Sequence, residues 1–95
     1  MPLLSTSDIQ VALRALDGWS EQNNTIQKTI KFGSYMDGIG FVNQLAEVAE
    51  THNHHPDLMV GWCSVDVTFT SHDQGGVTNQ CIAMANEIEK ILSKN

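Results

Sequence analysis

Three of the four histidines fall within one short run, His52-Asn53-His54-His55-Pro56-Asp57, and the fourth is His72. Imidazole has an unperturbed pKa of about 6.5, so it can give and take a proton near neutral pH. General acid–base catalysis is therefore the first chemistry this pattern suggests. Glu50 lies four residues before His54 and shares its face on any helix that persists so far. A carboxylate beside an imidazole favours the charged ring and can fix its tautomer. Asn43 and Glu47 continue that stripe, as a site wall or as a solvated helix face. Histidines at a helix C-terminus also interact favourably with its dipole, by roughly 0.3–1 kcal/mol, and one alone needs no further purpose. A run this dense, with His72 as the only histidine outside it, favours function.

Metal binding is the second reading, because imidazoles suit zinc, copper and nickel. Against it, no two of the clustered histidines form an i, i+4 pair, and no cysteine lies among them. No metal is expected. Cys63 and Cys81, with seventeen residues between them, match no metal or redox spacing and read as core or turn residues. Trp19 and Trp62 could stack on a flat ligand, but isolated tryptophans more often serve packing. Gly75-Gly76 is a turn signal and not a phosphate loop.

The elements that must position these groups follow from periodicity. Thr6 or Ser7 can cap a short first helix with Ile9, Ala12, Leu13 and Leu16 at helical spacing, ended by Gly18-Trp19. A hairpin over Trp19–Gln22 and Thr25–Phe32 should turn at Asn23-Asn24, with Ile26, Ile30, Phe32 and Lys28 on one face. Ser34 can cap a long helix to about Thr51, with an apolar stripe of Ile39, Val42, Ala46 and Ala49 widened by Phe41, Leu45 and Val48. Pro56 forces its end, since the residue before proline avoids helical backbone. A second hairpin reads over Leu58–Trp62 and Val65 to about Ser71, with Val65, Val67 and Phe69 alternating against Asp66, Thr68 and Thr70. After the Gly75-Gly76 turn, Thr78 can cap a last helix through Ile82, Ala85, Ile88 and Leu92. The order α-β-β-α-β-β-α argues for an α+β sandwich: a four-stranded antiparallel sheet with three helices on one face.

Ninety-five residues make a single domain, residues 1–95. The 41% of hydrophobic residues suffices for one modest core, and a domain so small gains from oligomerisation. A net charge of −6 repels phosphate backbones and anionic lipids, which excludes direct nucleic-acid binding and a basic membrane surface. Met1–Asp8 has no basic n-region and no apolar run approaches the ~20 residues of a membrane span, so a cytoplasmic location is expected.

The run Glu50-Thr51-His52-Asn53-His54-His55-Pro56, then Trp62, then His72 resembles the signature of the pterin-4a-carbinolamine dehydratases. Thr68–Asp73 with its following glycine turn, and Gly18-Trp19, fit the same family, as do the length and element order. The resemblance implies homodimers or homotetramers and dehydration of a 4a-hydroxytetrahydropterin to a quinonoid dihydropterin, without metal or organic cofactor. It assigns His54 and His72 as base and acid, with His55 assisting and Glu50 orienting the cluster. Asn53, Pro56, Trp62, Thr70, Ser71 and Asp73 would bind the pterin. Two positions depart from the family pattern: Cys81 stands where an aspartate is common, nine residues after the third histidine, and Asn53 stands where animal members often have aspartate. The alternative is a protein-binding role. Animal members of the family act as dimerisation cofactors for a homeodomain transcription factor, and dehydratase-like proteins help assemble the carbon-fixing carboxylase.

Overall fold

The computed structural model describes residues 2–94. Helix α1 spans Thr6–Leu13, and the Ser5 hydroxyl caps it by accepting the Asp8 N–H at 3.1 Å. The cap is thus one residue earlier than Thr6, and the helix stops well before Gly18. Tighter i, i+3 turns carry the chain onward and still bury Leu16. Strands β1 (Ser20–Gln22) and β2 (Thr25–Lys31) meet at Asn23-Asn24, whose φ values are +51° and +63°. Both central residues of a type I′ turn need positive φ, which asparagine tolerates, and that turn matches the strand twist.

Ser34 caps α2 (Tyr35–His52), as its side chain predicts. The buried face is Gly38, Phe41, Leu45 and Ala49, so the stripe is rotated from the expected one and Ala46 is exposed. At Gly38 an added Cβ would make ordinary van der Waals contact with Phe32 and Val65, so α2 lies close to the sheet there and has room for alanine. Strand β3 is Asp57–Val60 and β4 is Ser64–Phe69. Trp62 therefore belongs to the turn between them and not to the strand. The sheet order is β1-β2-β4-β3, antiparallel throughout.

Ile26, Ile30, Val65, Val67 and Phe69 are buried toward the helices, while Thr25, Gln27, Thr29, Asp66 and Thr68 form the opposite, wetter face. Lys28 shares the inner face at its rim, where its ammonium bonds Glu89 at 2.8 Å and the Asp17 carbonyl at 2.9 Å. Helix α3 (Asn79–Lys94) buries Cys81, Met84, Ala85 and Ile88 beside α2. Among the described residues no helix is long and apolar enough to cross a membrane.

Candidate active site

The C-terminus of α2 places the clustered histidines. Asn53 is left-handed (φ +50°), its N–H donates to the Glu50 carbonyl, and the next N–H, that of His54, donates to the Ala49 carbonyl at 3.1 Å. These two bonds form a Schellman ending, which satisfies orphan carbonyls and reverses the chain. The reversal splits two adjacent residues. His54 turns back into the protein and is only 8% exposed, while His55 stays outside. Asn53 thus shapes the turn through its backbone, and the residue is exposed.

The same turn overrides the helical spacing argument. Glu50 pairs with His55 Nε2 and not with His54, because the helix has ended before His54. His52 pairs with Glu87 on α3 at 3.4 Å, a link between two helices. His55, Glu50 and Pro56 line a cleft of about 370 Å³ with Leu45, Ala46, Ala49 and Leu58. That volume lies within the ~300–1,000 Å³ typical of small-molecule sites. His54 borders a separate recess of about 50 Å³ with His52, Gln80, Ala83 and Met84.

The other half of the cluster comes from the end of β4. Ser71 closes a tight turn: its N–H donates to the Gly76 carbonyl, and its carbonyl accepts the N–H groups of Gln74 and Gly75. Gly75 sits at φ +78°, which only glycine adopts without strain. His72 and Asp73 project from this turn, with His72 Nε2 4.0 Å from Asp57 at the start of β3. Asp73, His55 and His72 all lie close enough for their charges to act on the His54 ring. Burial pushes His54 below the ordinary imidazole pKa; the Asp73 carboxylate opposes this, and positive charge on His55 or His72 adds to it.

His54 stacks on Phe69, with centroids 5.9 Å apart and planes at 12°, and its Nε2 meets Cys81 Sγ at 3.3 Å. The sulfur also lies 3.6 Å from the Ser71 hydroxyl, which bonds Thr78 Oγ1 at 2.7 Å. Ser71 is thus buried within a polar cluster. The Thr78 hydroxyl is turned into that cluster, whereas the sequence suggests a helix cap. Thr70 donates its hydroxyl to the Asn24 carbonyl and ties β4 to the first hairpin. Trp62 is 81% exposed at the β3–β4 tip. It sits before β4, at the end away from the Ser71–His72 turn, and the six-residue strand between them spans about 20 Å at ~3.3 Å per residue.

Residue type alone does not place Cys81 and Thr78 in this cluster. The available signal was the spacing from His72 to Cys81, where the family pattern places aspartate. Among the described residues no three His, Cys, Asp or Glu side chains are grouped to hold a metal ion.

The sequence profile described as "Pterin 4 alpha carbinolamine dehydratase" matches residues 2–91. The chain belongs to this family. Among its relatives, a protein of Mycobacterium avium (strain 104) is 38% identical over 92 residues, covering 97% of this chain and 98% of that protein. One from Mycobacterium sp. (strain KMS) is 35% identical over 94 residues, covering 99% and 100%. Both are provisionally named pterin-4-alpha-carbinolamine dehydratases. The crystal structure of a transcriptional coactivator/pterin dehydratase from Brucella melitensis superposes with a TM-score of 0.90 at 37% identity, covering 94% of this chain and 97% of that one. A pterin dehydratase-like RuBisCO assembly factor of the alpha-carboxysome shares the fold, with a TM-score of 0.63 at 22% identity over 76% and 83% of the two chains.

Proposed function

We propose that the protein is a hydro-lyase that dehydrates a 4a-hydroxytetrahydropterin to the quinonoid dihydropterin and water. The observation that carries this reading is that both histidine segments come to one end of the sheet: His54 stacks on Phe69 at the end of β4, and His72 lies 4.0 Å from Asp57, just after the His54-His55-Pro56 run. Loss of water needs one proton removed from the ring nitrogen adjoining C4a and one delivered to the leaving hydroxyl. Both transfers balance within the substrate and two protein groups, so no further reactant is required.

His54, held neutral by burial, suits the base. His72, exposed beside Asp57, suits the acid. Glu50 fixes the orientation of His55, which would bind the pterin at the mouth of the cleft lined by Pro56. Asp73 would stabilise the imidazolium formed as His54 takes the proton, since opposite charge favours the charged ring. Ser71 and Thr70 would act from behind the site, through the cluster and the hairpin they anchor. The proposed setting is the cytoplasm, in homodimers or homotetramers. The exposed apolar Leu58, Met59 and Val60 of edge strand β3 favour such association.

That edge, with Trp62 exposed beyond it, also favours a second reading, in which the fold serves as a protein-binding or assembly factor. The test is dehydration of chemically generated 4a-hydroxytetrahydropterin, measured against the spontaneous rate. Acid–base groups contribute typically about 10²–10⁴-fold, so His54→Ala and His72→Ala should each lower turnover by at least about a hundredfold. No acceleration by folded wild-type protein would overturn the enzyme reading in favour of the second, and losses under about threefold would overturn the assigned roles.

A further inference from the structure

Cys81 is fully buried near the start of α3, and three polar side chains surround its thiol. Sγ lies 3.3 Å from His54 Nε2, 3.6 Å from Ser71 Oγ and 4.0 Å from Thr78 Oγ1, and the two hydroxyls are 2.7 Å apart. These contacts form one continuous line from His54 through the thiol and Ser71 to Thr78. The opposite constraint on the ring is the Phe69 stack, so His54 is held at an edge and a face.

We infer that Cys81 is a positioning residue for His54: its sulfur accepts the Nε2 proton and so makes Nδ1 the nitrogen that exchanges a proton with substrate. The catalytic half of this inference rests on the dehydratase reading, since only the Nε2–H tautomer leaves His54 a base here; the 3.3 Å contact itself admits either group as donor. A neutral imidazole carries one ring N–H, and its other nitrogen is the base. With Nε2 engaged by sulfur, a base can act only at Nδ1, and only if the proton sits on Nε2. The line of hydroxyls accommodates that orientation: the Cys81 S–H can in turn donate to Ser71 Oγ and the Ser71 hydroxyl to Thr78. Both hydrogens then have acceptors among side chains that are all buried.

The identity of the partner also matters. A neutral thiol orients the ring without stabilising its charged form. A carboxylate in the same place would hold the same tautomer but draw the ring toward imidazolium, which is no base. The other groups whose charges act on His54 are Asp73, His55 and His72, none of which belongs to α3. Cys81 is thus the α3 residue in polar contact with the ring, beside the recess lined by Gln80, Ala83 and Met84.

The experiment is nitrogen NMR on protein carrying ¹⁵N-histidine, without substrate, followed by pH profiles of turnover. In the wild type above about pH 7.5, His54 should be the Nε2–H tautomer, with Nδ1 unprotonated. Cys81→Ser keeps a hydrogen-bonding group and should hold the tautomer, with turnover within about threefold. Cys81→Ala should give mixed tautomers and a turnover loss of about tenfold or more, with the acid limb of the profile moved to higher pH as water replaces sulfur. An Nδ1–H tautomer in the wild type overturns the inference. So does a Cys81→Ala protein whose His54 tautomer and pH profile match wild type. Should Cys81→Ala fail to fold, the wild-type spectrum and Cys81→Ser still decide. Absent turnover with the Nε2–H tautomer intact would sink the dehydratase reading and leave the positioning one standing.

Discussion

Burial of His54 should make the protein lose stability in mild acid, by an amount that one substitution removes. The folded state holds this imidazole below its ordinary pKa, chiefly through desolvation, whereas the unfolded chain restores the ordinary value near 6.5. Between those two values the unfolded state binds a proton that the folded state refuses. The stabilisation is therefore complete above about pH 6.5 and is lost as pH falls toward the lowered folded value, with no further loss below it. The slope in that window can reach ~1.4 kcal/mol per pH unit for one group. Asp73 partly offsets the burial and narrows the window.

Urea unfolding followed by tryptophan fluorescence would measure it. Trp19 is 7% exposed and packs on Phe69 at 6.2 Å, so it reports the core, while Trp62 is already in solvent. Wild type and His54→Gln would be compared from about pH 8 to about pH 5, across the unperturbed imidazole range. The pairs His52–Glu87, His55–Glu50 and His72–Asp57 exist in both proteins and cancel in the difference. Wild type should lose more stability than the variant across the window, by up to ~1.4 kcal/mol per pH unit. Parallel dependence in the two proteins would show that burial does not hold His54 neutral, and would remove the physical basis for its role as base.

Two further outcomes follow from the local geometry. Asn53→Gly should unfold within about 0.5 kcal/mol of wild type, because glycine accepts the left-handed backbone, whereas Asn53→Val should cost ~1–2 kcal/mol; equal stabilities in urea would mean the Schellman ending does not fix this turn. Trp62→Ala should change stability by less than about 0.5 kcal/mol and KM by less than about twofold, since the ring is in solvent at the wrong end of β4. A tenfold rise in KM would instead require that Trp62 reach the cleft of a second copy.

The fold was legible because its signals are local and agree with one another. Asn23-Asn24 demands a tight hairpin, Ser34 and Pro56 bracket α2, and Val65, Val67 and Phe69 alternate as only a half-buried strand does. The errors were of phase and not of kind. Ala46 fell on the exposed side because periodicity gives a stripe's width but not which neighbour will cover its centre. Leu16 remains buried although α1 ends at Leu13, because turns of i, i+3 type can continue a face after the helix stops.

For the site, the sequence by itself determined the reagents: histidines in two segments, a nearby carboxylate and a proline that ends the helix. It could not determine who meets whom. The Asn53 turn sent Glu50 to His55 and His54 into the core, reversing the pairing that helical spacing implies. Ser71, Thr78 and Cys81, from the end of β4 and the start of α3, became one buried cluster around His54 only when both elements packed on the sheet. Residue type and spacing limit what chemistry is available. Burial, tautomer and partner depend on contacts between distant segments, and those exist only once the chain has folded.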